Sequence, residues 1–375
     1  MQPSGLQLRL VVPGNVRHNS GGNVYNAALA RELTAQGVEV EICPLDGDWP
    51  GGSPEDRRRL AAVLCSDGTH AAGTHDDGAH RGGEADPARW VTVVDGLLAC
   101  GAPEELAAAA AAGRPAWILL HMPLEDPEVE RRALREAAGV ICTSSSAAAG
   151  LRARHGLDGI RVALPGTLPA ALANGSTPPH LLAVAALLPN KDQSLLLDAL
   201  SLLGGLPWTA ALVGSDSADP AYAAQLREQT SRLGLQGRVS IPGELRGGAL
   251  EAEWASADLS LLISQAETYG LVVTESLARG IPVVVRAGTG AVEALAAGAP
   301  ESQTPGSLPG TAVALGSDPS VLAGVLRRWL TDPALRTRWR SAAVSARDRL
   351  PGWDNTARTV IEALCAGPPA GEAGE

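Results

Sequence analysis

A chain of 375 residues with 45 % hydrophobic and 19 % charged side chains has room for two ordinary domains, each with its own core, and is not disordered in composition. A net charge of −11 argues against nucleic acid or an anionic membrane surface as a bulk electrostatic partner, and leaves only local sites for small anions. Aromatic residues make up 3 % and Phe is absent, so the cores must be built from Leu, Val and Ala.

In chain order, "LQLRLVV" (6–12) reads as a buried strand, "NVYNAALARELTAQG" (23–37) as a helix stopped by Gly37, and "VEVEICP" (38–44) as the next strand. A helical segment near 55–65 leads into 66–87, a run of Gly, Asp and His without periodicity that predicts a flexible surface insertion. "WVTVVDG" (90–96), "PAWILLH" (115–121) and "GVICTS" (139–144) follow as strands without alternation, separated by helices, which implies a parallel sheet covered on both faces. The stretch 164–179 has the composition of a linker. A second α/β set then begins, with strands at 181–187, 208–214, 238–243, 257–264 and 281–286, and closing helices over 318–347 and 353–366. The predicted division is an N-terminal Rossmann-like domain over 1–165, a C-terminal one over 166–350, a closing helix over 351–366 and a disordered tail over 367–375. A ligand crevice is expected at the carboxyl ends of the strands, between the two domains.

Five scattered cysteines without a CxxC predict reduced thiols. No secretory signal and no apolar run of roughly 20 residues is apparent, so a soluble, cytoplasmic protein without stable membrane insertion is expected. His70, His75 and His80, five apart in the insertion, do not stack on one helical face and read as a solvated loop, not a metal site.

Two stretches and one residue stand out. The loop "VPGNVRHNSGGNVYN" holds four of the seven asparagines and the pair Gly21 and Gly22 at a helix entry, where backbone can approach a ligand and unpaired N–H groups can meet an anion. It is not GxGxxG, and it has no acid about 20 residues on to support NAD. In "SQAETYGLVVTESLARGIPVVV", Glu267 and Glu275 lie eight apart, with Thr268, Tyr269, Gly270 and Leu271 between a strand and a helix start. A strand-end carboxylate can take hydrogen bonds from sugar hydroxyls, and the N–H groups of Tyr269, Gly270 and Leu271 can face a phosphate. Lys191, in "LLPNKDQS", is the only lysine; the other 29 basic side chains are arginine.

The 264–285 segment resembles the E-x7-E signature of retaining, family-4-like glycosyltransferases of the GT-B fold. "SGGNVYNAALARELTAQGVEVEI", "LLAVAALLPNKDQSLLLDAL" and "WDNTARTVIEAL" extend the resemblance over nearly the whole chain except the insertion and tail. It implies two Rossmann-like domains facing a central cleft, a C-terminal helix crossing back to the first, and transfer of a sugar from a nucleotide-diphosphate donor with retention. It implies that Lys191 neutralises the donor diphosphate, Glu267 holds the transferred sugar and Glu275 the nucleotide ribose. Gly21 and Gly22 then match the loop over the diphosphate, and His121 the histidine beside the sugar. Asn19, Asp95 and His121 are expected on the acceptor side, with a small soluble acceptor such as a natural product, sugar or aminocyclitol. No cofactor or metal is expected.

Two departures qualify this. The family pattern has an arginine where this chain has Ala186, and a glycine where it has Asp192. Arg246, Arg286 or Arg17 could replace the missing cation, Arg246 being the first choice. The turn after "PVVV" is "RAGTGAVEAL", in which Glu293 could keep an acidic role. A non-catalytic sugar-nucleotide sensor, or an epimerase or phosphorylase on the same fold, stays open as an alternative. In a phosphorylase Lys191 would be the only possible Schiff-base lysine.

Overall fold

The computed structural model describes residues 5–15, 20–66, 90–299 and 308–367. The insertion histidines, Arg17 and Asn19 lie outside those residues, as does the tail. Two compact units emerge. One comprises Gly22–Leu164 with the first strand and the helix Trp353–Ala366, and the other comprises Pro165–Gly352.

The first unit is built on a wholly parallel sheet of β1 (Gln7–Pro13), β2 (Glu39–Leu45), β3 (Trp90–Asp95), β4 (Trp117–Leu120), β5 (Gly139–Cys142) and β6 (Arg161–Val162), in the order β2-β1-β3-β4-β5-β6. Every residue of β4 and β5 is buried, as continuous apolar strands between two helical layers require. The helix Trp353–Ala366 packs into this unit through the edge of Trp353 on Tyr25, 5.3 Å between centroids, and through Thr356 Oγ1 donating to Leu164 O at 2.7 Å.

The second unit repeats the design with β7 (His180–Val184), β8 (Thr209–Val213), β9 (Val239–Gly243), β10 (Leu259–Leu262), β11 (Val283–Arg286) and β12 (Gly310–Val313). Their order is β12-β11-β10-β7-β8-β9, again all parallel. Its core is aliphatic with tryptophan fillers. Trp208 is 1 % exposed, donates Nε1–H to Leu203 O at 3.0 Å and carries the Arg238 guanidinium 3.7 Å above its ring.

Two strands lie beyond the sequence reading. β6 is two residues long and β12 is "GTAV", both too short or too poor in apolar residues to stand out. The expected closing helix over 318–347 is two helices, Pro319–Thr331 and Pro333–Ala346. Asp332 ends the first and caps the second by accepting from Leu335 N, and Pro333 cannot donate to continue the first. The first helix begins at Gly21, so Gly21 and Gly22 are its first turn.

Replacing Trp208 by Ala removes a fully buried ring. It is expected to destabilise the second unit by about 3–5 kcal/mol, read as a lower denaturant midpoint at an unchanged slope.

Candidate active site

In an open parallel sheet the strand order reverses once, and the loops leaving the two strands at that point part to opposite faces. In the second unit the reversal lies between β7 and β10. The loop after β7 is "LLPNKDQ" and the loop after β10 is "SQAETYG", so the two motifs singled out by sequence leave neighbouring strands.

The first loop closes into a single 3-10 turn, Pro189–Lys191, with Lys191 N donating to Leu188 O at 2.9 Å. The second is tied to it by Gln265 N donating to Asn190 O at 2.8 Å. Lys191 Nζ then reaches Glu267 Oε2 at 3.0 Å, with the two side chains 22 % and 17 % exposed. Lys191 and Glu267 are therefore brought together although 76 residues apart.

The Glu267 loop is held from behind. Gly290 N donates to Glu267 O at 2.7 Å, and a Cβ on Gly290 would collide with Thr268 O. Gly270 turns the chain at φ 90° and caps the helix Leu271–Ala278. Tyr269 is buried, and its hydroxyl, like that of Ser264, has no hydrogen-bond partner among the described residues. Glu275 is half-buried two turns on. Burial raises its carboxyl above the ordinary range, Arg279 opposes that and Glu251 adds to it.

Asp192 is the one non-glycine residue with a left-handed backbone among the described residues, φ 58°. Its carboxylate is bonded by Arg286, which also donates from Nε to Ile263 O at 2.9 Å and from Nη1 to Leu315 O at 2.6 Å. Arg286 is 8 % exposed and all three of its donor groups are engaged. Arg246, the sequence's first choice for a replacement cation, is exposed and bonded to Glu244 two residues away at 3.0 Å. Arg286 is thus held by the fold, whereas Arg246 is an exposed side chain in a local ion pair.

In the first unit the reversal lies between β1 and β3, and the corresponding side chains form a second cluster. Asp95 ends β3 and caps the next helix, its Oδ1 accepting from Leu97 N at 2.9 Å. Its Oδ2 accepts from Asn26 Nδ2 at 2.6 Å and lies 3.3 Å from His121 Nε2. Asn26 Oδ1 is 2.9 Å from the same ring nitrogen. Burial would raise the Asp95 carboxyl, but the neighbouring His121, Leu97 N–H and Asn26 overcome it and hold the group below its ordinary value of 3.8. Asp95, expected on the acceptor side, is 3 % exposed, and its carboxylate is bonded by its neighbours. Asn26 was missed by sequence reasoning. It is one asparagine among four in its segment, and only the fold shows which of them is buried.

Residues 167–345 match the family described as glycosyl transferases group 1. Mannosylfructose-phosphate synthase of Agrobacterium fabrum is 32 % identical over 124 residues, 32 % of this chain and 27 % of that protein. D-inositol 3-phosphate glycosyltransferase 1 of Catenulispora acidiphila is 33 % identical over 135 residues, 36 % of this chain and 30 % of that protein. The matched part of the chain thus spans under a third of the length of either relative. Among solved structures, sucrose-phosphate synthase of Thermosynechococcus elongatus is similar with a TM-score of 0.70 at 19 % identity, covering 96 % of this chain and 98 % of that one. The Anabaena protein HepE, in complex with UDP and glucose, is similar with a TM-score of 0.65 at 19 % identity, covering 96 % of this chain and all of its own.

Gly290→Ala forces a methyl group into the Thr268 carbonyl. It is expected to cost about 1–3 kcal/mol and to weaken any ligand held by the Glu267 loop more than it lowers the unfolding midpoint, as calorimetric titration of the folded variant would show. The depressed Asp95 carboxyl has a sign for pH. Its stabilising contribution is full above 3.8 and is lost as pH falls through the lower folded value, because the unfolded chain then binds the proton more readily. Asp95→Asn is expected to flatten the acid limb of the stability–pH curve measured by denaturant titration.

Proposed function

We propose, from the group 1 glycosyl transferase match over residues 167–345 and the fold shared with GT-B structures, that the chain is a glycosyltransferase that moves a sugar from a nucleotide-diphosphate donor to a small hydroxylated acceptor, with retention. The observation that carries the reading is the Lys191–Glu267 pair at the strand-order reversal of the second unit. An ammonium held beside a sugar-binding carboxylate suits a ligand whose diphosphate adjoins a sugar. The phosphate draws Lys191 away from Glu267, and the freed carboxylate accepts from sugar hydroxyls.

In this scheme the backbone N–H groups of Tyr269, Gly270 and Leu271 meet the phosphate at the start of their helix. Glu275 takes the ribose diol, and Gly21 and Gly22 let the backbone approach the diphosphate. The bond between the anomeric carbon and the phosphate oxygen breaks, and a bond from the acceptor oxygen forms on the same face. The acceptor proton passes to the departing phosphate. Lys191 stabilises the charge that develops there, and the scheme needs no metal ion. Support for a nucleotide-sugar donor comes from HepE, whose structures are described as complexes with UDP and UDP-glucose. The names of the sucrose-phosphate, mannosylfructose-phosphate and inositol 3-phosphate relatives favour a polyhydroxylated acceptor of sugar or cyclitol type.

A thermal-shift panel of UDP-, GDP-, dTDP- and ADP-sugars tests the donor. A true donor at 100 times its Kd is expected to add about 2.7 kcal/mol, and a flat panel would sink the reading. Lys191→Ala and Glu267→Ala are each expected to lower transfer by about 10²–10³-fold with the unfolding midpoint kept. Donor binding with neither transfer nor hydrolysis in the unsubstituted protein would favour a sensor instead.

A further inference from the structure

The geometry around His121 points to a function for two residues that the proposed reaction leaves unassigned. We propose that Asn26 and Asp95 are positioning residues that hold His121 as its Nε2–H tautomer, leaving Nδ1 to accept a hydroxyl hydrogen from a bound ligand. The role given to Nδ1 rests on the glycosyl-transfer reading; the tautomer does not.

The assignment follows from what each atom can donate. Asp95 is charged, so both its oxygens can only accept. Its Oδ1 takes the Leu97 N–H and its Oδ2 lies 2.6 Å from Asn26, so Asn26 must turn its amide nitrogen toward the carboxylate. The Asn26 carbonyl oxygen is thereby aimed at His121 Nε2, 2.9 Å away. The second atom near Nε2 is Asp95 Oδ2 at 3.3 Å. Two oxygens that can only accept converge on one ring nitrogen, and that nitrogen must carry a hydrogen. In the neutral ring the lone pair then sits on Nδ1, which has no hydrogen-bond partner among the described residues.

The ring is packed on two sides. Its edge meets Tyr25 at 5.2 Å between centroids and 70° between planes, and Tyr25 is itself fixed by donating to Ala163 O at 2.9 Å. On the helix side Gly22 lies so close that a Cβ would stand 3.2 Å from His121 Cδ2. Asn26 is 5 % exposed and Asp95 is 3 %, whereas the His121 side chain keeps 15 %. Of these three residues, the histidine is therefore the one with surface to offer a ligand, and the other two act through it.

The test is nuclear magnetic resonance of the full chain labelled with 15N in histidine only, at alkaline pH. His121→Gln assigns the resonance. Long-range proton–nitrogen correlations are expected to show Nε2 protonated and Nδ1 bare. In Asp95→Asn, which is isosteric, residue 95 can donate, Asn26 can turn over, and the ring is expected to pass to a mixture or to Nδ1–H. Transfer by the folded variant is then expected to fall about 10–100-fold. An Nδ1–H ring in the unsubstituted protein, or an Asp95→Asn spectrum identical to it, would overturn the proposal. Unchanged transfer in His121→Gln overturns the role given to Nδ1. Unchanged transfer in Lys191→Ala instead overturns the reaction scheme, and the histidine spectrum still tests the tautomer independently of it.

Discussion

Each sheet winds in one direction until a single reversal, and that constraint decides where chemistry can sit. Right-handed crossovers stack successive helices on one face of a parallel sheet. The face changes only where the strand order turns back, between β1 and β3 in the first unit and between β7 and β10 in the second. There the loops diverge, and backbone and side chains at the strand ends have no helix to cover them. Lys191 and Glu267 leave the two strands of one reversal. Asn26 and Asp95 follow the two strands of the other, with His121 one strand further along.

The charges at the second reversal are arranged as two separate ion pairs. Arg286 with Asp192 is the structural pair: the guanidinium bridges the ends of two strands and a distant carbonyl, and its bond to Asp192 helps offset the left-handed backbone that a glycine would adopt without cost. Lys191 with Glu267 is the exchangeable pair, because neither side chain has another hydrogen-bond partner among the described residues. The aspartate after the lysine and the arginine after "PVVV" look unrelated in the chain, being 94 residues apart. In space they are one device that sets the turn from which the lysine projects.

Much of the fold was legible because parallel strands buried on both faces are written as unbroken apolar runs, as "WILL" and "VVVR" are. The Lys191 and Glu267 loops were legible because each joins such a run to a helix, with glycine at the turn in the second. β6 and β12 were not, since an edge strand of two or four residues needs no continuous apolar signal. The burial of Asn26 and Asp95 and the bond of Arg286 to Asp192 were also hidden. A polar residue's partner across a sheet has no period and no fixed offset in sequence, so a helix asparagine that fixes a ring looks the same as one that faces water. The partner of Arg246, Glu244, was by contrast in plain sight two residues away.

The lone lysine has a consequence for the covalent chemistry of the whole surface. Every other cationic side chain is an arginine or a histidine, so reagents and modifying enzymes that act on primary amines find a single side-chain target in 375 residues. That target is partly shielded and engaged by a carboxylate. Acylation of this one amine would erase its charge where it faces Glu267, and a ligand that occupied the amine would shield it. The chain therefore carries its own footprinting probe: the extent of labelling at one nitrogen reports occupancy of the site, with no other lysine to contribute background.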